Sequence, residues 1–219
     1  ATGKTLTYSG AALSLGANTL TMSGEGRLSN TNALILNNAS SKLLLDSITV
    51  DNVSTSVANS LGLDVDDNST VSSLSVAHIT PVSIASGKTL SGAITVTAGS
   101  IKLAETGTLA STVSMSGGEL DADESLTISG ALTQGGSITI DVADNKTLTY
   151  SGASLSLGAN TLTLSGGGTL SNTNALALDN ADSLLTLAGI LTIGDVDGTA
   201  VSNSGKGINV TSSATLGDY

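Results

Sequence analysis

Acidic side chains have the most capacity for chemistry in this sequence, and they occur in clusters. The clusters cover residues 64–68, 121–124, 141–145 and 195–198. Carboxylate and amide oxygens are the ligands that hard cations such as Ca²⁺ prefer, whereas Asp and Asn are also common turn residues. None of the clusters fits the twelve-residue EF-hand loop or the glycine-rich calcium-binding nonapeptide. Two interpretations therefore stay open, structural calcium sites and solvated turns.

Motifs for catalysis or cofactor binding are weak elsewhere in the chain. His78 is the only histidine and Arg27 the only arginine, so a metal site built from two histidines cannot form within one chain. The segment Gly87-Lys88-Thr89 resembles the end of a phosphate-binding loop, but that loop requires glycine at position 82, which is Val. A G-x-S-x-G nucleophile elbow is absent from the sequence. We therefore predict no catalytic residue and no cofactor-binding residue, and we expect a protein that is not an enzyme.

Composition and charge exclude several classes of function. Seven basic residues stand against eighteen acidic ones, for a net charge of −11. Binding to nucleic acids or to anionic membrane surfaces depends on clustered Lys and Arg, so neither partner is expected. No apolar run approaches the ~20 residues of a membrane-spanning helix, so we expect no membrane insertion. The chain is 39% hydrophobic, 11% charged and 1% aromatic, which indicates an ordered protein built from small aliphatic side chains.

The sequence contains long and short internal repeats. Residues 4–38 return at 146–180 with 29 of 35 positions identical, at an offset of 142. Residues 126–131 match 148–153 at an offset of 22. Self-similarity at a fixed period is typical of repeat architectures. We predict a single domain over residues 1–219 that contains this duplication.

Alternating apolar residues indicate which element is repeated. Pairs such as Leu6/Tyr8 and Leu20/Met22 are separated by one Thr, and such pairs recur about every seven residues between Gly, Asn or Ser-Gly turns. A period of two is typical of half-buried strands. Three such strands make a coil of roughly 21 residues, close to the offset of 22. The sequence therefore predicts an all-β fold, a parallel β-helix (β-solenoid) of about ten coils with 20–22 residues per coil.

The 22-residue offset also predicts which residues of neighbouring coils lie side by side. It places Leu126 beside Leu148 on the inside of the coil, and Glu124 beside Lys146 at a turn. Parallel strands lie ~4.8 Å apart, so each of these pairs should be in contact.

A second pair of residues carries the metal prediction. Asp121 and Asp141 are twenty residues apart, so we expect them close together at the edge of the stack. Two nearby carboxylates repel one another unless a cation or water separates them. Asp121 and Asp141 are therefore the predicted ligands of a weak calcium site, and calcium is the one cofactor considered.

Three longer motifs recur, K-T-L-T-x-S-G, L-G-A-N-T-L-T-x-S-G and G-x-L-S-N-T-N. With them the chain resembles the β-solenoid stretches of large bacterial surface proteins, such as autotransporter passengers and filamentous-haemagglutinin-like adhesins. The resemblance implies an extracellular or cell-surface location and a structural or adhesive role in a surface fibre. The expected partners are copies of the same protein or neighbouring repeats, because the ends of a solenoid expose unpaired strand groups. Surface glycans are a further expected partner.

Two other functions stay open. A carbohydrate-binding or carbohydrate-active β-helix would bring Asp and Lys from adjacent coils together on one concave strand face. An ice-binding solenoid would stack outward T-x-T triplets on one face at every coil. The triplets that begin at Thr5 and Thr19 are fourteen residues apart, so we expect them on different faces.

Overall fold

The structure is a computed structural model that describes residues 2–57, 60–189, 191–194, 196–197 and 207–217. Within these ranges the chain forms an all-β parallel solenoid of about nine turns, with about 21 residues per turn. The fold class and the coil length predicted from the sequence are confirmed, and the number of turns is close to the ten predicted. No helix in the described part of the chain is long and apolar enough to cross a membrane.

Short strands separated by turns make up each coil. The first ten strands are β1 (Thr5–Tyr8), β2 (Leu13–Ser14), β3 (Thr19–Ser23), β4 (Arg27–Asn30), β5 (Leu34–Leu36), β6 (Lys42–Asp46), β7 (Thr49–Thr55), β8 (Gly62–Val65), β9 (Ser69–Val76) and β10 (Thr80–Ile84). The next ten are β11 (Thr89–Val96), β12 (Ser100–Leu103), β13 (Thr108–Leu109), β14 (Thr112–Met115), β15 (Glu119–Ala122), β16 (Leu126–Ile128), β17 (Leu132–Gln134), β18 (Ile138–Val142), β19 (Thr147–Tyr150) and β20 (Leu155–Ser156). The last strands of the described chain are β21 (Thr161–Gly166), β22 (Thr169–Asn172), β23 (Leu176–Ala177), β24 (Leu184–Leu187), β25 (Leu191–Ile193), β26 (Val196–Asp197), β27 (Gly207–Val210) and β28 (Ala214–Leu216).

The strands stack in three columns, which we call the first, second and third faces in the order in which each turn visits them. The first face consists of β1, β4, β7, β9, β11, β13, β16, β19, β22, β25 and β28. The second face consists of β2, β5, β14, β17, β20, β23 and β26, together with the C-terminal halves of β7, β9 and β11. The third face consists of β3, β6, β8, β10, β12, β15, β18, β21, β24 and β27. Neighbouring strands run parallel, each one turn further along the chain.

Inward side chains form continuous aliphatic ladders along the solenoid. On the third face Leu43, Leu63, Val82, Leu103 and Ala122 are register neighbours on successive strands, and all five are buried. Because successive residues of a strand point to opposite sides, the intervening Thr, Ser and charged residues face outward. A tube this narrow is filled by small aliphatic side chains, which explains why the chain needs so few aromatic residues.

Tyr150 is the aromatic side chain found in the buried core of the described residues. Its hydroxyl donates a hydrogen bond to the carbonyl oxygen of Ala153 at 2.5 Å. It also accepts one from the backbone N–H of Leu132, in the preceding turn, at 3.1 Å. Burial raises the pKa of Tyr150. The ring therefore fits the core because both hydrogen-bonding functions of its hydroxyl are satisfied there.

The sequence duplication is repeated in the local structure. Ser41 accepts a hydrogen bond from the N–H of Asn38 and donates one to the carbonyl oxygen of Gly16 at 2.6 Å. Ser183 and its neighbours make the same two bonds, again with 2.6 Å to a carbonyl oxygen of the turn before. The near-identical segments therefore fold in the same way.

Candidate functional site

The predicted acidic pair lies on the third face. Asp121 in β15 and Asp141 in β18 are direct register partners, so the prediction that they come together is confirmed. Both lie within strands, whereas we expected them at the edge of the stack. The coil from β15 to β18 has twenty residues at this point, which brings Asp121 and Asp141 into register, and both occupy half-buried positions that alternate with buried residues of their strands.

Lys102 on the neighbouring strand β12 compensates this acidic group. Its Nζ lies 3.0 Å from Oδ2 of Asp121 and 2.7 Å from Oδ2 of Asp123. These two carboxylates, Asp123 first, raise the pKa of Lys102. Ser165 donates a hydrogen bond to Oδ1 of Asp141 at 2.5 Å, on the other side of the pair. We call Lys102, Glu119, Asp121, Asp123 and Asp141 the charged cluster.

Glu119 in the charged cluster has surroundings that disfavour a negative charge. Its pKa is raised, mainly by burial and then by the charges of Asp121 and Asp141, while Lys102 acts in the opposite direction. Carboxylates that crowd together do not all ionise equally, because each charge raises the free energy of the next. The charged cluster therefore contains one carboxyl group that holds its proton to higher pH than usual.

The charged cluster does not form an evident metal centre. Among the described residues there is no group of three or more His, Cys, Asp or Glu side chains arranged to hold a metal ion. Lys102 already supplies positive charge to Asp121. Calcium binding at Asp121 and Asp141 stays a prediction.

The other residues singled out in the sequence are parts of turns and surface pairs. Arg27 makes an ion pair with Asp51, with Nη2 at 2.7 Å from Oδ1, on the exposed side of the first face. Gly3 and Gly87 both have positive φ, 63° and 72°, at the turns that precede β1 and β11. The Gly-Lys-Thr segments are therefore a turn followed by a strand.

The Lys-Thr pair at the start of β11 is held by a side chain pair from the turn before. Lys88 Nζ lies 2.8 Å from Oδ1 of Asp67. The N–H of Thr89 donates to Oδ1 of Asn68 at 2.9 Å. The bond from Lys88 is the main cause that lowers the pKa of Asp67. In this contact, an acid pairs with the Lys of the next turn, and the short polar residue that follows the acid accepts a hydrogen bond from the N–H of the Thr.

The same arrangement recurs at the start of β19 with different residues. Lys146 Nζ lies 2.5 Å from Oε2 of Glu124, which confirms the predicted pair. The N–H of Thr147 donates to Oγ of Ser125 at 3.0 Å. Sequence analysis predicted the ion pair but missed the bond from Thr147. It also missed the equivalent contacts at Lys88, where the spacing is 21 residues and not 22. The signal that could have found them is an acid followed by Asn or Ser one coil before the Lys-Thr-Leu triplets at Lys88 and Lys146.

The third Lys-Thr-Leu triplet, at Lys4, lies at the end of the described stack, where β1 has a paired strand on one side only. Leu6 is 69% exposed, whereas its counterpart Leu148 is 1% exposed. Leu13 is 41% exposed and its counterpart Leu155 is 1% exposed. In the part of the chain that the structure describes, Lys4 makes no ion pair. Leu6 and Leu13 are more exposed than their counterparts because the structure describes no strand on the other side of β1 and β2.

The first two Thr-x-Thr triplets of the described chain lie on different faces of the solenoid. The triplet that begins at Thr5 lies in β1 on the first face, and the triplet that begins at Thr19 lies in β3 on the third face. This is the separation expected from the sequence. The arrangement that an ice-binding surface would need at every coil is not formed by these two triplets.

Comparison with known proteins found no match for this chain. The chain matches no model of a known protein family. It also has no significant match among curated proteins or among solved structures. The fold places the molecule in the class of parallel β-solenoid repeat proteins.

Proposed function

We propose that this chain is a non-catalytic structural or adhesive module of an extracellular surface fibre or large adhesin. The observation that carries the proposal is the aliphatic ladder, which runs through successive turns without interruption. Each turn contacts only its neighbours, so the stack extends in one direction and suits a spacer. The resemblance of the repeats to autotransporter passengers and filamentous-haemagglutinin-like adhesins supports the same role.

The dimensions of the solenoid suit a rod-like spacer. Stacked strands lie ~4.8 Å apart, so nine turns extend about 43 Å along the axis. Outward Thr, Ser and Asn cover its sides, and the surface is acidic overall, with a net charge of −11. Such a surface stays hydrated and resists unspecific association. The partners that we propose are neighbouring repeats or copies of the same protein at the ends, and surface glycans along the sides.

Labelling of intact source cells tests the location and the role. Antibodies raised against the purified chain should label unpermeabilised cells, and protease added outside should remove the signal. A cytoplasmic marker that is labelled only after permeabilisation is the control. Beads coated with the purified chain should bind to cell surfaces or extracellular matrix more than beads coated with a protein of equal charge. Labelling that requires permeabilisation would overturn the proposal.

A carbohydrate-directed function is the second candidate, because Asp and Lys from adjacent turns do converge on the third face. Lys102 lies between Asp121 and Asp123, and Glu119 has a raised pKa beside them. A carboxyl group with a raised pKa that lies near a second carboxyl group is the arrangement from which glycoside-cleaving enzymes draw their general acid.

A panel of soluble polysaccharides separates the two candidates. Binding or release of reducing ends that Glu119→Gln abolishes would favour the carbohydrate-directed function. Asp64→Asn is the matched control, since Asp64 also pairs with a lysine, Lys42, on the third face. Activity that both variants lose equally, or no binding to any polysaccharide, would exclude the charged cluster as a carbohydrate site.

A further inference from the structure

The outward side of the third face carries two parallel rows of polar side chains on β12, β15 and β18, which we call the polar grid. In strand order, the two rows are Ser100, Glu119 and Thr139, and Lys102, Asp121 and Asp141. Neighbouring strands lie ~4.8 Å apart, and residues two apart along a strand lie ~6.6 Å apart, so the polar grid measures about 7 Å by 10 Å. An area of this size is large enough to hold a sugar ring.

The hydroxyl group of Ser100 is buried in the polar grid and has no hydrogen-bond partner among the described residues. The residue is 6% exposed. Register partners on parallel strands project to the same side, so Ser100 points outward with Glu119 and away from the aliphatic ladder. A buried hydroxyl group without a partner opposes folding, because it has given up its hydrogen bonds to water. An outward hydroxyl group in this state indicates a position where a ligand supplies the missing bond.

The carboxyl group of Glu119, the register partner of Ser100, lacks a positively charged partner. Lys102 makes its ion pairs with Asp121 and Asp123, at 3.0 Å and 2.7 Å. Within the described part of the chain, the side chain of Glu119 makes no hydrogen bond and no ion pair. The four acidic side chains of the charged cluster therefore share one lysine, and an excess of negative charge remains.

The corner of the solenoid beside Ser100 and Glu119 leaves room for a ligand. Gly99 and Gly118 directly precede these two residues, with φ of 76° and 83°. A Cβ at Gly118 would lie 2.4 Å from the carbonyl oxygen of Gly99, so a side chain does not fit there. The residues directly before Ser100 and Glu119 therefore place no side chain over this end of the polar grid.

A protonated primary amine fits the chemistry of the polar grid. Its three N–H donors match the carboxylate of Glu119 and the hydroxyl groups of Ser100 and Thr139, and its charge offsets the negative excess. The carboxylates would repel an anion. A metal ion would need several ligands that converge on it, and the described residues contain no group of three or more acidic or histidine side chains so arranged.

The surroundings of the polar grid favour a glycan as the carrier of the amine. The core of a protein interface is rich in apolar and aromatic side chains, whereas the outward side chains of β15, β18 and β21 are Glu, Asp, Thr and Ser. The row of Glu119 and Thr139 continues with Thr163 and Thr186 on the next two strands. A sugar ring carries hydroxyl groups around its amine, and these can exchange hydrogen bonds with such a row.

We propose that Ser100, Glu119 and Thr139 bind the ammonium group of an amino sugar. Thr163 and Thr186 bind the sugars that follow it along the axis of the solenoid. This inference rests on the proposed function for its partner, a surface glycan. It goes further because it names the sugar chemistry and the side chains that recognise it.

A pair of matched oligosaccharides tests the role of the amine. Isothermal titration calorimetry compares a glucosamine oligomer with an N-acetylglucosamine oligomer of equal length, at a pH that keeps the free amines protonated. The acetylated oligomer should bind about tenfold more weakly or less, because its amide nitrogen carries no charge. Equal affinities, or no binding of the glucosamine oligomer, would overturn the proposal.

Two charge-matched variants separate this site from the general attraction of a cation to an acidic protein. Glu119→Gln and Asp64→Asn each remove one negative charge from the third face, but Asp64 pairs with Lys42 and lies outside the charged cluster. Glu119→Gln should weaken the binding of the glucosamine oligomer by about tenfold. Asp64→Asn should weaken it by less than about twofold. Equal losses would mean that binding follows net charge alone, which contradicts the proposal.

Ser100→Ala distinguishes a ligand-binding hydroxyl group from a structural one. The substitution removes a buried group without a partner, so the melting temperature should stay the same or rise. The affinity for the glucosamine oligomer should fall about threefold or more, because one hydrogen bond to the ammonium group is lost. A lower melting temperature with unchanged affinity would assign the hydroxyl group to the fold and overturn its place in the site.

An oligolysine peptide of equal charge tests a protein as the carrier of the amine. It should bind more weakly than the glucosamine oligomer, because it has no sugar hydroxyl groups to pair with the row of threonines. Equal or tighter binding of the peptide would assign the site to a protein partner and overturn the proposal. These measurements use purified protein and defined ligands, so they stand or fall separately from the labelling of intact cells that tests the proposed function.

Discussion

Leu148 and Leu6 offer a comparison in which one substitution is made twice in the same local sequence. Both follow Lys-Thr and precede Thr-Tyr-Ser-Gly, yet Leu148 is 1% exposed and Leu6 is 69% exposed. Replacing leucine by alanine removes three carbon groups, worth about 2.4 kcal/mol when fully buried, at ~0.8 kcal/mol each. A cavity of about 10 Å³ already lies beside Leu148, lined also by Ile128 and Ile140, so the truncation enlarges an existing void. We expect Leu148→Ala to cost about 3–4 kcal/mol.

Leu6→Ala should cost far less because less than a third of the side chain is covered. The same arithmetic gives about 0.7 kcal/mol, with no cavity contribution because the site is open to water. Urea unfolding followed by far-ultraviolet circular dichroism measures both free energies of unfolding, at one pH and one protein concentration. Equal losses at the two positions would refute the reasoning. A loss above about 2 kcal/mol at Leu6 would mean that the side chain of Leu6 is covered in solution.

Four further measurements test other features. Glu124→Gln should lower the free energy of unfolding by no more than about 1 kcal/mol, and by less in 1 M NaCl, because the pair with Lys is exposed. Glu119→Gln should raise the melting temperature at pH 7, since the raised pKa means that ionisation of Glu119 opposes folding; the gain should vanish as the pH falls through the pKa of the folded state and then below the ordinary value of 4.5. Gly166→Ala should destabilise strongly, because a Cβ there would lie 2.0 Å from the carbonyl oxygen of Val142, whereas Gly87→Ala, with open space around it, should cost only about 1 kcal/mol of backbone strain. Calcium at millimolar concentration should raise the melting temperature, and Asp141→Asn should remove the effect, if the predicted site exists; an unchanged melting temperature would end that prediction.

The fold could be predicted from the sequence because its signals are local and repeated. Alternation with period two specifies strands, and the offset of 22 specifies that they stack one coil apart. This was sufficient to predict that Leu126 lies beside Leu148 and that Glu124 lies beside Lys146. Both pairs are separated by the same coil of 22 residues, from β16 to β19, which is the coil whose length the repeat gives.

The contacts of Lys102 and Lys88 and the exposure of Leu6 could not be predicted in the same way. Lys102 and Asp121 are 19 residues apart and Asp67 and Lys88 are 21 apart, so a constant offset misses both pairs. The number of residues per coil varies because the loops between strands can gain or lose residues at the surface while the inward aliphatic ladder stays in register. The exposure of Leu6 depends on what covers it, and its local sequence is the same as that of the buried Leu148. Only the positions of the neighbouring turns distinguish the two.

Because each turn is bonded only to the turns above and below it, the solenoid has a distinctive response to tension. The backbone hydrogen bonds between strands run along the axis of the rod, so a pulling force on its ends acts directly on the bonds of the outermost turn. That turn separates first, while the turns behind it keep their full set of bonds. Each turn that peels away releases about 21 residues, which extend to about 70 Å of chain. Under load the solenoid would lengthen in steps, one coil at a time, and absorb work before the last turns separated.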